Sequence, residues 1–374
     1  MLVLRAFKTE LDLNNAQKTA CARHAGAARY AYNWGLARKK EVFANGQKTP
    51  SAIDLHRELN ALKKTELTWM YEVSKCAPQE ALRDLDNAFA HFFRRVKEKK
   101  AGKNVKAGFP RFKSKKNSLG SFRLTGAIHI FENSIQLPRL GVLRLKERGY
   151  LPMEGVHVLN ATVSEKAGRW FVSVQVEMDI PDPEPMEKPA AGVDLGINRM
   201  AQVSDGEYFE NPRALKQSLT KLKRLQRVVS RRQKGSANRK KAVRQLAKAH
   251  FRVANIRKDA LHQATTFLTK TKSAIVLENL NVSGMAKNRH LAQAVADVGM
   301  YEFRRQMTYK GAWYGCEVLL ADRFYPSTKR CSQCGQVKES IGLDEREYHC
   351  CGCGLLLDRD LNAALNLEQL LYLS

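Results

Sequence analysis

The sequence predicts an α+β protein of several domains, and three observations carry that expectation. From Asn14 to about Lys97 the apolar residues recur at helical spacing. Residues 118–180 change to the alternation of strands. Further on, two short apolar runs each end in an acid, Asp194 and Glu278, ahead of a cysteine-rich segment and a last helix. At 374 residues, roughly two or three domains is the natural division.

Residues 1–10 read as one strand. Within the helical stretch, Ala27, Tyr30, Ala31 and Trp34 share a face, as do Leu82, Leu85, Ala88, Phe89, Phe92 and Phe93. Most of these aromatics are expected to pack between helices. Residues 94–116 carry eleven Lys or Arg against one acid, Glu98, and Gly108 and Pro110 end the helical pattern there. Phe109 and Phe112 lie among those charges, a pattern suited to nucleic acid as well as to a solvated face.

The segments Ser134–Pro138, Gly141–Leu145, Val156–Val163 and Arg169–Val176 alternate well enough for a small β-barrel. Pro181, Pro183, Pro185 and Pro189 form a stiff linker, so a new domain should begin near Ala190. Inside it, residues 211–270 carry eighteen Lys or Arg and one acid, Asp259. Leu215, Leu219, Leu222 and Leu225 mark one apolar stripe; Val243, Leu246, Val253 and Ile256 mark a second, after Gly235-Ser236. Two long helices with a basic outer face are expected. A coiled-coil dimer would bury the same stripes, but flanking charge of nearly one sign would repel a like partner, and a phosphate backbone would relieve it.

Lys and Arg total 64 against 37 Asp and Glu, a formal net charge of +27, which favours a polyanionic partner. No run of about 18 apolar residues is present, and the first residues lack the apolar core of a signal peptide. No membrane association and a cytoplasmic location are expected. Five of the eight cysteines fall between Cys331 and Cys353. Cys331-x-x-Cys334 and Cys350-x-x-Cys353, fifteen residues apart, have the spacing of a four-thiolate zinc ribbon. Four thiolates fill a tetrahedral Zn²⁺ shell and leave no place for water, so that site is structural. Cys351 is the competing ligand for Cys350. Cys21, Cys76 and Cys316 are expected to be buried small apolar residues.

Asp194 and Glu278 end strand-like runs, and Asp360 opens a helix, where Asp360 or Asp358 could serve as N-cap. Each acid alone has an ordinary explanation. Together, two strand-borne acids and one helix-borne acid are the set a ribonuclease H-like fold uses to hold two Mg²⁺ ions against a phosphodiester. The histidines are scattered, and no nucleophile of the serine, cysteine or histidine type stands out.

Five segments carry a resemblance: Gly-Val-Asp194-Leu-Gly-Ile-Asn, Val-Leu-Glu278-Asn-Leu, Phe-Tyr-Pro-Ser-Thr-Lys-Arg-Cys331-Ser-Gln-Cys334-Gly, Cys350-Cys-Gly-Cys353-Gly and Asp358-Arg-Asp360-Leu-Asn-Ala-Ala-Leu-Asn. With Arg304–Gly315, Ala25–Trp34 and Gly108–Lys113, they resemble the transposon-encoded TnpB (OrfB) family, compact relatives of type V CRISPR effectors. The resemblance implies an RNA-guided DNA endonuclease that binds a transposon-end guide RNA, recognises a short motif beside a double-stranded target and cuts with a RuvC domain. It implies a wedge β-barrel (1–10 and 118–185) interrupted by a helical recognition domain (11–117). A RuvC-like domain (190–327 and 356–374) would follow, with the basic hairpin 211–270 and an inserted zinc-ribbon target-nucleic-acid-binding module (328–355). It selects Asp360, rather than Asp358, as the third Mg²⁺ ligand beside Asp194 and Glu278.

By position, Lys75 and Gln79, four apart on a helix face, would read the adjacent motif. Arg111, Lys113, Arg224, Arg231 and Arg232 would hold nucleic-acid backbones. One protein copy per RNA is expected. Two rivals remain: a guided or DNA-binding regulator that does not cut, and a two-metal DNA-joining transposase. The single-strand tyrosine class is disfavoured, because no two histidines flank one apolar residue.

Overall fold

The computed structural model describes residues 1–115, 120–183, 187–342 and 344–372. The expectations for Lys116 and Pro185, and the boundaries drawn at 118 and 185, lie outside the described residues. The chain divides into two units, Met1–Pro181 and Asp182–Ser374, each with its own core.

In the first unit, strand β1 (Leu2–Asp12) leads into helix α1 (Asn15–Ala44). Asn14 opens that helix with a capping box: its side chain accepts from Gln17 N at 2.8 Å, and the Gln17 side chain accepts from Asn14 N at 3.1 Å. Ser51 and Asp54 start α2 (Ala52–Leu62) in the same way, and α3 spans Cys76–Lys100. The continuous helical pattern expected over 14–97 is therefore three helices. The break at Gly46, with φ of +72°, and Pro50 separates the first two. A 3₁₀ turn at Thr68–Glu72 lies in the second gap. Helices α1 and α3 pack closely, since a Cβ at Gly35 would lie 2.7 Å from Leu82 Cδ2. His24, buried between them and the strands, accepts from Ser74 N at 2.9 Å, and burial pushes its pKa down. It is a neutral structural pin.

Six more strands follow: β2 (Ser121–Leu124), β3 (His129–Ile130), β4 (Ser134–Leu137), β5 (Gly141–Leu145), β6 (Val156–Lys166) and β7 (Arg169–Asp179). They join β1 in an antiparallel sheet of order β2-β6-β7-β1-β5-β4-β3. β1 runs against β7 from Leu2 opposite Asp179 to Leu11 opposite Trp170. Alternate residues such as Ile135, Leu143, Val163, Val172 and Val174 are fully buried and share one core with Leu36, Leu55, Leu82 and Leu85 of the helices. The sequence pattern predicts a small β-barrel here. Among the described residues no pairing joins β2 to the two-residue β3, so the hydrogen-bonded ladder remains open at that seam.

The second unit contains β8 (Ala191–Asp194), β9 (Arg199–Val203), β10 (Tyr208–Glu210), α4 (Ala214–Arg231), α5 (Ala237–Thr271) and β11 (Ala274–Leu277). Then come α6 (Val282–Met285), α7 (Ala292–Val298), α8 (Met300–Tyr314), β12 (Glu317–Leu320), β13 (Glu347–His349), β14 (Leu356–Asp358) and α9 (Arg359–Gln369). Its mixed sheet has the order β10-β9-β8-β11-β12; the first three strands are antiparallel, and β8, β11 and β12 are parallel. Ala191, Val193, Ile275 and Leu277 face Leu261, Ala264 and Leu268 of α5, Val295 and Val298 of α7, and Phe303 and Met307 of α8. Val276 faces the opposite way and meets Leu367 of α9. Cover on both faces explains why the central strands are continuous apolar runs.

The N-cap residue of helix α4 is Arg213, whose backbone is left-handed and whose side chain makes no capping bond. Asp297 of α7 supplies the missing acceptor, taking Leu215 N and Lys216 N at 2.9–3.1 Å. The α4–α5 hairpin buries Ala214, Leu222 and Val253. Val243 and Ile256, expected in the α5 stripe, are 46% and 37% exposed. At 3.6 residues per turn they sit about 60° and 80° round the helix from Leu246, outside the narrow seam that α4 covers. Cys21, Cys76 and Cys316 are buried as expected. No helix among the described residues is long and apolar enough to cross a membrane.

Candidate functional site: a carboxylate trio beside a four-thiol cluster

Register alone brings two of the three acids together. In the β8–β11 pair, Ile275 lies opposite Ala191, Val276 opposite Gly192 and Leu277 opposite Val193. One step further along the same parallel ladder sets Glu278 beside Asp194, at the carboxyl ends of adjacent strands. Strand neighbours lie about 4.8 Å apart. Alternation then fixes the face. Asp194 shares the side of Gly192, and Glu278 shares the side of Val276, which is the side covered by α9.

Gly192 sets how closely that helix approaches. A Cβ there would lie 1.9 Å from the carbonyl oxygen of Ala364 and 2.4 Å from Glu368 N, so only glycine admits α9 against β8. Asp360 stands one helical turn before Ala364, on the stripe that continues to Leu367. The competition between the two aspartates at the helix start is resolved by hydrogen bonding. Asp358 is the N-cap, accepting Asp360 N at 2.9 Å and Leu361 N at 3.0 Å, and it also pairs with Arg199 at 3.5 Å. The Asp360 carboxylate is left to its 3.4 Å contact with Arg359 and to the other acids.

The electrostatics record the convergence. Burial, then the charges of Glu278 and Asp360, push the Asp194 carboxyl well above the usual carboxylate range, and Arg359 offsets part of this. Burial also raises Glu278; a hydrogen bond from Ser327 opposes the rise, and Asp360 adds to it. Close burial of several carboxylates is unfavourable without a compensating cation, and oxygen donors suit Mg²⁺. Two ions about 3.5–4 Å apart can share a set of carboxylates of this kind. A cavity of about 430 Å³ opens beside Glu278, walled by Asn279, Asp322, Arg323 and Phe324 at the carboxyl ends of β11 and β12.

The thiols are gathered differently. Sulfur atoms of Cys331, Cys334, Cys350 and Cys353 all lie within 4.8 Å of one another. Cys331 and Cys353 are 3.6 Å apart, and Cys334 and Cys350 3.5 Å. The two pairs sit on matching turns. Gly335 N donates to Cys331 O at 2.9 Å, and Gly354 N to Cys350 O at 3.0 Å, each glycine having φ near +75°. Cys351 is exposed and stands outside the group. The backbone N–H groups of Cys353 and Gly352 hold the Cys350 thiol down to about 6. A compact all-sulfur set with such donors fits Zn²⁺.

Lys75 is exposed but is the N-cap residue of α3, not a member of it, and Gln79, one turn later, is half-buried. Arg111 is exposed on a non-helical segment. Lys113 is more engaged than expected: its ammonium lies 4.0 Å above the Tyr32 ring, and its backbone bonds Asn33 at 2.8 and 2.9 Å. Arg224 and Arg231 are exposed on α4, with Arg232 exposed as its C-cap. Ser327, Arg359, Asn362 and Asn366 stand in the segments that carry the resemblance, yet the sequence alone assigns none of them a role at the site. Beyond that, the signal is two asparagines four apart beside an otherwise apolar stripe.

Three family models match this chain. One described as a probable transposase (OrfB_IS605) covers residues 171–289, including Asp194 and Glu278. A Cas12f1-like TNB domain covers 301–367, including the four cysteines and Asp360. A helix-turn-helix domain model covers 1–48, where the structure has β1 and the single long helix α1. A "Putative RNA-guided DNA endonuclease" of Streptomyces pristinaespiralis is 37% identical over 98% of this chain and 89% of its own length. The "Putative RNA-guided DNA endonuclease InsQ" of Escherichia coli K12 is 35% identical over 97% of this chain and 91% of its own. Among solved structures, the Cas12f1–sgRNA–target DNA complex aligns over 98% of this chain and 99% of its own, with a TM-score of 0.55 at 14% identity, a likeness of fold.

Proposed function

The chain belongs to the TnpB (OrfB) family, and from that membership we propose that it is a transposon-encoded, RNA-guided DNA endonuclease whose cutting centre is Asp194, Glu278 and Asp360. One observation carries the residue assignment: the β8–β11 register sets Asp194 beside Glu278 on the face that α9 crosses at Gly192. The sheet order, with antiparallel β10-β9-β8 and parallel β8-β11-β12, supports the reading of this unit as a ribonuclease H-like, RuvC-type domain.

Mg²⁺, when bound, supplies activation of the attacking water and neutralisation of the leaving oxygen. The chain's own part is to hold three carboxylates in a partly buried cleft, with Arg359 balancing the residual charge. Cys331, Cys334, Cys350 and Cys353 would hold a structural Zn²⁺. The wedge, recognition, RuvC and ribbon domains are assigned with the boundaries given above. The exposed arginines of α4 and of segment 94–115 would track RNA or DNA backbones, and Lys75 and Gln79 would read the target-adjacent motif. The enzyme would act in the cytoplasm, one copy on each guide RNA.

Purification from cells, sequencing of co-purifying RNA, and incubation of the complex with matching DNA and Mg²⁺ test this. A defined transposon-end RNA and cut DNA are expected. Absence of any defined RNA would overturn guidance, and intact DNA despite a correct guide and flanking motif would overturn the nuclease. The probable-transposase description of residues 171–289 favours one second reading, DNA joining by the same acids. Strand-transfer products formed without RNA would establish it.

A further inference from the structure

Ser327 lies in the loop between β12 and the first cysteine turn, outside the carboxylate trio. It is 3% exposed, and its hydroxyl donates to Glu278 Oε1. Its own position is fixed twice: its N–H donates to Tyr325 O at 2.9 Å, and its carbonyl accepts from Asn366 Nδ2 at 2.8 Å. Asn366 Nδ2 also reaches Arg330 O at 2.6 Å, where Asn362 Nδ2 arrives at 2.8 Å. Asn362 Oδ1 takes Ser332 N at 3.0 Å, and Gln369 Nε2 donates to Ser332 O at 2.6 Å. Asn362, Asn366 and Gln369 stand at i, i+4 and i+7 on α9, and both asparagines are fully buried. Asn366 Oδ1 is buried without a partner, but the Nδ2 groups of both asparagines, Asn362 Oδ1 and Gln369 Nε2 are all bonded to segment 327–332, and these five bonds tie that segment to α9. The same helix bears Asp360. α9 therefore holds one acid directly and a second through Asn366 and Ser327.

We propose that Ser327 is a positioning residue for the carboxylate centre, fixing the side chain of Glu278 so that it meets a divalent cation together with Asp194 and Asp360. The proposal rests on the reading of those three acids as cation ligands. A glutamate at a strand end has three free torsions, and a hydroxyl anchored to α9 removes that freedom before the cation arrives.

The test uses the full zinc-loaded chain, with Ser327→Ala, Ser327→Thr and Asp194→Ala. Mn²⁺ is titrated calorimetrically into RNA-free protein, and the Mg²⁺ dependence of cutting is measured on the RNA-loaded complex. Asp194→Ala is expected to lose the Mn²⁺ site and cutting together. Ser327→Ala should bind Mn²⁺ about tenfold or more weakly and need correspondingly more Mg²⁺ for half-maximal cutting, and Ser327→Thr, which keeps the donor, should restore both. The alanine removes one oxygen and leaves the backbone bonds to Tyr325 and Asn366, so zinc content should not change. Wild-type Mn²⁺ affinity in Ser327→Ala, or equal loss in Ser327→Thr, overturns the positioning role. Lost zinc in Ser327→Ala assigns the hydroxyl to the ribbon and also overturns it. Mn²⁺ binding and cutting that survive Asp194→Ala overturn the trio itself, a separate outcome.

Discussion

The four thiols and the three carboxylates belong to one unit, yet they are assembled by different physics. The thiols come from two copies of one turn, each closed by a glycine at positive φ and separated by a short excursion of chain. The carboxylates come from two strand ends and a helix start, brought together by sheet register and by one glycine that lets α9 approach β8. The thiol cluster needs only local geometry; the trio needs the whole sheet. The first therefore suits an ion that is part of the fold. The second, buried and mutually repelling, suits ions that belong to the reaction.

Breaking the non-local assembly should do most harm. Gly192→Ala drives a methyl into the backbone of α9, and should cost about 3 kcal/mol or more of stability as well as DNA cutting, read by thermal melting and a cleavage assay. Unchanged melting would show that α9 has freedom the close approach denies.

The local assembly should fail more selectively. Cys353→Ser should lower zinc content measured by atomic emission and reduce the melting temperature, while Cys351→Ser, outside the cluster, should keep full zinc. The reverse pattern would move the fourth ligand to Cys351.

Repulsion within the trio gives a pH signature. Asp194 holds its proton to higher pH when folded than when unfolded. Below the unfolded value near 4 both states are protonated and nothing is lost. As pH rises through and above that value, the unfolded chain ionises first, so the native state loses stability until the folded pKa is passed. Asp194→Asn should shrink this decline, leaving the part due to Glu278, and added Mg²⁺ should suppress it in the wild type. Melting of zinc-loaded protein across pH, with and without Mg²⁺, checks both; identical curves for wild type and Asp194→Asn would contradict the mutual burial.

The smallest effect separates the neighbouring aspartates. Asp358→Ala removes an N-cap and should cost about 1 kcal/mol with cutting retained at a reduced rate, whereas Asp360→Ala should abolish cutting. Melting and cleavage of the two variants decide it.

These contrasts also explain what the sequence could disclose. The cysteine spacing was legible because a knuckle is a short-range object, and the apolar runs before Asp194 and Glu278 were legible because fully covered strands are apolar on both faces. The capping role of Asp358 was not, because Asp358 and Asp360 are equally plausible until the helix start is seen. Ser327 stands in a quoted motif, but its contact with Glu278 was not legible: the partner lies 49 residues away, and no periodicity links a loop hydroxyl to a strand end. The interruption of the first helical stretch was signalled by Gly46 and Pro50 but masked by apolar spacing on either side. Val243 and Ile256 look like core in sequence and lie off the seam, since the pattern shows where a stripe runs but not how much of it a shorter partner covers.

The proposed cutting centre of Asp194, Glu278 and Asp360 stands or falls on metal-dependent cleavage. It is tested most directly by incubating RNA-loaded wild type, Asp194→Ala, Glu278→Gln and Asp360→Asn with matched DNA and Mg²⁺, scoring binding and cleavage together. All four should bind the DNA alike, the wild type should cut, and each variant should lose cutting on the order of a thousandfold. Cleavage at the wild-type rate by any one of the three variants would contradict it.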